Sequence, residues 1–254
     1  MGNAYEADQR EKDIYALICA SDGIKAKDIG RQLGLTRADV NRCLARSPFI
    51  RDLCYQDTRY AWHGLIPQRY PHRGLTGYCG WYGTADRFAA LDAAAWFAEL
   101  QEGCRAIGRN LNDARGLFHS FRDCGDTIRA LLADLRASGV ACGPWELGFE
   151  LRIKRSERIR IYADVLVIAP GYAFVLEFKM KDRIDPAEIA QAVKYCPYLE
   201  VLLGPAYEVV PALVLTRAAD LFEHRRFGAG TAELAVCSGD MLFNVFDEYL
   251  GFLG

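Results

Sequence analysis

The sequence has almost no net charge: 31 Lys and Arg stand against 33 Asp and Glu, a formal balance of −2. That excludes a chain that grips nucleic acid through bulk positive charge, so any contact with a polyanion has to come from local clusters of Lys and Arg. Also absent is a run of about 18 apolar residues, so no transmembrane helix and no membrane partner are expected. The opening residues, MGNAYEADQREKD, lack the apolar stretch of a signal peptide, and Glu6 stands where a myristoylation motif wants Ser or Thr. A cytoplasmic location is the expectation. Internal repeats and low-complexity tracts are missing. The nine cysteines are odd in number, scattered and without a CxxC pair. They read as reduced core residues rather than a disulfide framework or a structural metal site.

What is present is 254 residues, 51 % hydrophobic and 25 % charged, enough to bury a core and to form two modules. Residues 1–65 form the first. QREKDIYALICA carries Ile14, Leu17 and Ile18 at helical spacing, a short helix ends at Gly34, and Thr36 caps a third helix that holds Val40 and Leu44 inside. After Pro48, FIRDLCYQDTRYAWH is predicted to give two short strands meeting at Asp57-Thr58. Together these elements resemble a winged helix-turn-helix domain. Arg37, Asn41, Arg42 and Arg46 lie off the apolar stripe of the third helix, where phosphates and base edges are within reach. Ten Lys/Arg against nine Asp/Glu in residues 1–65 make a weakly basic module, so a helical domain for protein contacts or dimerisation is the competing reading.

Residues 66–104 read as a Gly- and aromatic-rich connector followed by one helix, DRFAALDAAAWFAELQ. Within residues 105–254 a helix is predicted over CRAIGRNLNDARGLFHSFRD, and another capped by Asp126. Arg105, Arg109, Arg115 and Arg122 on the former are either phosphate contacts or a solvated face. From Trp145 the period changes from 3.6 to 2, giving three strands, the last two joined at Pro170-Gly171. A helix follows with Asp185 as cap, Pro186 at its first position and Glu188 completing a capping-box-like start. Two more strands and a terminal helix capped by Asp240 complete the chain. The fold class is α/β, a mixed sheet sandwiched by helices.

Asp164, Glu177 and Lys179 interrupt strands that otherwise read as sheet core. Glu177 and Lys179 share a face, and the tight turn brings Asp164 near them. Lone buried charges cost several kcal/mol, so these three must meet each other or a metal. The chemical reading is a site for Mg²⁺ or Mn²⁺ with Asp164, Glu177 and the Phe178 carbonyl as oxygen ligands. Such an ion activates a water against a scissile phosphate, and Lys179 orients that water or offsets charge.

Asp164, twelve intervening residues, then Glu177-Phe178-Lys179 resembles the PD-(D/E)xK superfamily of restriction-endonuclease-like nucleases. Gln191 and Tyr195, four apart on the following helix, resemble the QxxxY element of its RecB-like branch. The resemblance covers roughly residues 105–216. It implies a restriction-endonuclease-like fold, metal-dependent cleavage of DNA (RNA stays open), and contact of Gln191 and Tyr195 with the substrate backbone. It also implies a histidine metal ligand on the preceding helix, for which His119 after Gly116 is the candidate, with Glu146 and Glu150 as competing donors. A homodimer or a protein partner is compatible with it. The alternative is a non-catalytic DNA-binding regulator, or a structural subunit of a repair or defence complex with an inactive nuclease fold.

Overall fold

A computed structural model of the chain describes residues 8–21, 23–57, 59–64, 72–109, 114–155, 160–193, 195–226 and 233–252, without the side chains of 52, 53, 55, 72–74, 114–119, 154, 155, 160, 161 and 201. The chain divides into two compact units. One comprises 1–74 with 153–161 and 197–206, the other 75–152, 162–196 and 207–254.

The first unit begins with α1 (Gln9–Cys19), α2 (Ala26–Leu33) and α3 (Arg37–Arg46). Asp8 and Glu11 form a reciprocal capping box at the start of α1. Gly34 ends α2 in the left-handed region, and the Thr36 hydroxyl accepts from Asp39 N at 3.1 Å to start α3. Ile14, Ile18, Ile29, Val40 and Leu44 are the buried stripe that the 3.6 period required. Residues 48–53 differ from expectation. They form α4 (Pro48–Leu53), not a strand, because the Ser47 hydroxyl caps Ile50 N at 3.1 Å and Pro48 is preset for a first helical turn. The hairpin is therefore shorter, β1 (Cys54–Gln56) antiparallel to β2 (Trp62–Gly64), and Ile24 exchanges two backbone hydrogen bonds with Trp62 to extend it.

The second unit holds one seven-stranded mixed sheet in the order β3-β4-β5-β6-β7-β9-β8. Its strands are β3 (Trp81–Thr84), β4 (Glu146–Arg155), β5 (Arg160–Ala169), β6 (Tyr172–Lys179), β7 (Glu208–Leu215), β8 (Phe222–Arg226) and β9 (Glu233–Ser238). The α/β class stands. β5 and β6 are antiparallel with Ala169 opposite Tyr172, the register set by the Pro170-Gly171 turn, whereas β6–β7 and β7–β9 are parallel. On one face Leu147, Val167, Phe174, Leu176 and Val214 join a large core with α5 (Ala85–Ala90), α6 (Ala93–Ala106), α7 (Ala114–Ala137) and α10 (Leu242–Leu250). On the other, Leu213, Leu215, Leu234 and Val236 pack with Ala192 and Val193 of α8 (Pro186–Val193).

Four helix boundaries differ from the sequence reading. The helix expected over 104–123 is not continuous: α6 ends at Ala106, Gly108 takes the left-handed region, and α7 starts at Ala114. The helix expected over 86–101 is broken: Leu91 is extended, and Asp92 restarts the chain by accepting from Ala95 N at 2.8 Å. Residues 114–137 form one helix through Asp126, which is no cap. The Asp240 carboxylate accepts from Asp220 N, while α10 starts after a 3₁₀ turn over Gly239–Met241. After α8 comes α9 (Cys196–Leu203), whose 197–203 part belongs to the first unit. There Tyr198 stacks on Phe49 at 5.1 Å, and Lys12 is paired with Glu200. All nine cysteines are free and six are buried.

Candidate functional site

The pairing of β5 with β6 runs from Ala169 opposite Tyr172 to Val165 opposite Leu176 and stops there, one residue short of Asp164 and Glu177. β6 meanwhile stays paired with β7 through Glu177, Phe178 and Lys179. The sheet thus forks at the residues that carry the charges. In the alternating antiparallel ladder Phe178 N–H points toward β5. At the fork it donates to Asp164 Oδ2 at 2.8 Å, so a side chain takes the place of a main-chain acceptor. The N–H and C=O of one extended residue leave the chain on the same side. The Phe178 carbonyl therefore faces the same fork.

Glu177 and Lys179 lie on the α8 side of β6, since Leu176 and Phe178 point into the large core. Lys179 Nζ donates to Glu177 Oε1 at 2.7 Å. At the end of α8, Gln191 Nε2 donates to the Tyr195 hydroxyl at 3.2 Å, and that hydroxyl is hydrogen-bonded to Glu177. Gln191, Tyr195, Glu177 and Lys179 form a continuous chain of hydrogen bonds. Tyr195 stands two residues beyond the end of α8 and is buried. Glu188 of α8 binds Lys181 Nζ at 2.6 Å, so it does not close a capping box; Asp185 alone caps, accepting from Ala187 N at 2.9 Å.

Glu150 of β4 is the third acid of this neighbourhood. It is 3 % exposed, and Arg109 Nε lies 2.6 Å from its Oε2. Glu146, at the other end of the strand, is hydrogen-bonded by the Tyr82 hydroxyl instead. Burial first, and the Asp164 charge second, push both Glu150 and Glu177 up to about 8. Burial also raises the Asp164 carboxyl, against the opposing pull of Phe178 N–H, Lys179 and Arg109. Lys179 is raised: burial opposes its charge, but the Glu177 and Asp164 carboxylates outweigh that. Burial and the Glu177 charge hold the Tyr195 phenol neutral well above its ordinary range. Three acids face two bases, and Glu177 Oε2 and Glu150 Oε2 are buried without a hydrogen-bond donor among the described residues. Oxygen donors in excess of cations are the donor chemistry of a hard divalent ion. Among the described residues, however, no three His, Cys, Asp or Glu side chains stand together as a ready metal-holding group. Mg²⁺ fits such a partial set, because it is commonly held by one or two carboxylates and completes its shell with water and phosphate.

The His119 side chain and that of Arg115 lie outside the described residues. Arg105 is exposed and Arg122 faces Asp126 at 3.6 Å; among the described side chains of these basic positions, Arg109 stands at the acids. Asp123 and Arg217 carried no motif that pointed to them. Asp123 Oδ2 accepts from Thr216 at 3.1 Å and faces Arg217 at 3.0 Å, and Thr216 N bonds the Lys179 carbonyl, which ties α7 to the end of β6. On α3, Arg37, Asn41, Arg42 and Arg46 are all exposed. Arg42 and Arg46 line a cleft of about 230 Å³ that also contains Asp8, Glu11 and Asp39, and Arg42 pairs with Asp39 at 3.3 Å, so acids partly neutralise this surface.

No protein-family model matches the chain, and no curated protein matches it. Among solved structures it is similar to protein VC1899 from Vibrio cholerae, at 12 % identity with a TM-score of 0.28, over 98 % of this chain and 58 % of that one. The chain thus spans a little over half the length of that protein. Among the described residues no helix is long and apolar enough to cross a membrane.

Proposed function

We propose that the protein is a metal-dependent nuclease that hydrolyses phosphodiester bonds of DNA, with a restriction-endonuclease-like second unit and a winged-helix-like first unit that positions the substrate. The observation that carries this reading is the fork between β5 and β6. There Asp164, Glu177, Lys179, Gln191 and Tyr195 meet beside a buried excess of acid. Asp164, Glu177 and the Phe178 carbonyl are the groups to hold Mg²⁺ or Mn²⁺, with a fourth ligand from the Glu150 carboxylate or the His119 imidazole nitrogen. The bound ion supplies Lewis-acid stabilisation of the scissile phosphate and a nucleophile at neutral pH. Lys179 holds the attacking water and carries positive charge toward the phosphate as negative charge develops. The Tyr195 hydroxyl and Gln191 fix the Glu177 carboxylate and present polar edges to the strand. The helix order of the first unit, with the Ile24 bridge extending its hairpin, supports the winged-helix part of the reading.

Two observations favour a second reading, a non-catalytic DNA-binding protein with an inactive nuclease fold: Lys179 is paired with Glu177, and no group of three His, Cys, Asp or Glu side chains stands together among the described residues. A cleavage assay on linear, circular, single-stranded and duplex DNA with Mg²⁺ or Mn²⁺ separates the two. The nuclease reading expects cleavage that EDTA abolishes and that Asp164→Ala and Lys179→Ala remove. Cleavage by either variant at the parent rate sinks the site assignment. A melting temperature that does not respond to Mn²⁺, together with intact DNA, selects the regulator.

A further inference from the structure

Arg109 and Glu150 form an ion pair that is built with unusual care for a pair so poorly hydrogen-bonded. Arg109 is set in place by the end of α6. Gly108, at φ 73°, donates to the Arg105 carbonyl, and Arg109 N donates to the Cys104 carbonyl at 2.8 Å, the paired bonds of a Schellman motif. Its guanidinium lies over the Tyr162 ring, 4.5 Å from the centroid. Glu150 is held at φ 53°, a left-handed conformation inside a strand that costs a residue with a side chain on the order of 1–3 kcal/mol. Gly80 N reaches both the Phe149 and Glu150 carbonyls, at 2.8 and 3.3 Å, which marks a bulge in β4 at this residue. α6 is pressed onto that bulge: a Cβ at Gly103 would lie 1.9 Å from the Gly80 carbonyl oxygen. Two strained or close-packed devices thus fix one acid and one base beside Asp164 and Glu177.

For all this, the pair is not aligned for hydrogen bonding. Arg109 Nε and Glu150 Oε2 are 2.6 Å apart, within ion-pair distance but off the line of a hydrogen bond, and neither atom has another hydrogen-bond partner among the described residues. The Arg109 Nη atoms make no hydrogen bond among the described residues, and 27 % of its side chain is exposed against 4 % for Glu150. An acid that served only to neutralise its partner would engage the guanidinium fork, which is where charge-assisted bonds are strongest. Here the fork is left facing outward on an aromatic platform, next to a cluster that wants a phosphate-bound cation.

We propose that Arg109 is a phosphate-binding residue of the site, its outward Nη edge taking a non-bridging oxygen of the substrate backbone, and that Glu150 is the positioning residue that orients it. This rests on the site assigned under the proposed function. It specifies a ligand, a phosphodiester, and a residue outside the Asp-Glu-Lys and Gln-Tyr motifs. A planar fork stacked on a ring suits a phosphate better than an ammonium does, so Arg109→Lys restores binding only in part.

The test is binding of a fluorescent oligodeoxynucleotide by anisotropy in Ca²⁺, from 50 to 300 mM salt, alongside cleavage in Mn²⁺, for the parent, Arg109→Ala, Arg109→Lys, Glu150→Gln and the double variant Arg109→Ala/Glu150→Gln. The double variant leaves no orphaned buried charge, and so keeps the test open if Arg109→Ala alone does not fold. The proposal expects Arg109→Ala to weaken binding about tenfold or more and to lower the salt slope by about one. Arg109→Lys should recover part of the loss, and KM should rise with a smaller change in kcat. Glu150→Gln should weaken binding less. Parent-like affinity and slope in Arg109→Ala or the double variant, with parent-like cleavage, overturn the proposal and leave the nuclease reading intact. A parent that binds without cleaving, with binding lost in Arg109→Ala, supports Arg109 and removes the nuclease reading. A parent that neither binds nor cleaves overturns both.

Discussion

Glu177 shows how one buried residue couples stability to pH. Its carboxyl and that of Glu150 are raised to about 8, so between about pH 5 and 8 the folded protein holds protons that the unfolded chain has released. The stability these groups contribute is fully present below their unfolded values and is lost as pH rises through the folded ones. The melting temperature of metal-free protein should therefore fall from pH 5 to pH 8, and Glu150→Gln should flatten that fall, as read by calorimetry across the range. Mn²⁺ competes with those protons, so its stabilising effect should grow over the same window. Lys179 gives a sharper prediction. Lys179→Ala should reduce cleavage by about a hundredfold or more, in line with loss of one preorganised transition-state group. Oligonucleotide binding measured by anisotropy should persist.

At the scale of the element, local chemistry and burial compete. Thr36 and Gly34 bound their helices where the sequence put them because a cap is a contact between residues three or four apart. The same kind of local bond overturned the strand expected over 48–53, where the Ser47 cap prevailed over the β-propensity of Phe49 and Ile50. Asp92 was present in the sequence as an ordinary acid, and only the break at Leu91 reveals it as a cap. Asp92→Ala should cost about 1 kcal/mol in denaturant unfolding. A core position behaves differently. Phe174 of β6 stacks on Phe246 of α10 with centroids 4.0 Å apart and is fully buried, so Phe174→Ala should cost roughly 3–5 kcal/mol through lost burial and a cavity. β3 and β8 escaped notice because four or five residues are too few for a period to register, and β8 is largely exposed.

For the whole molecule, the first unit is completed by a segment distant in sequence. Phe49, 5 % exposed, has Tyr198 stacked against it, and Lys12 meets Glu200. A fragment of residues 1–74 lacks both partners. It should melt well below the same helices in the full chain, as hydrogen exchange in α1–α4 of each will report, and Tyr198→Ala in the full chain should raise exchange in those helices.

The sequence by itself determined the α/β class, the first three helices of the first unit and the β5–β6 hairpin, and it singled out the five residues of the candidate site, because period, caps, turns and charge in an apolar strand act within a few residues. Asp164 and Glu177 stood out since a charge in sheet core demands a partner wherever the chain goes. The tertiary structure alone decided that β5 leaves β6 one residue before those acids. It also decided that Glu150 rather than Glu146 joins them, that Arg109 is the base beside them, and that α9 completes the first unit. Each depends on which distant segments share a desolvated space, and a one-residue bulge such as that at Glu150 changes where a side chain faces without leaving any mark in the periodicity.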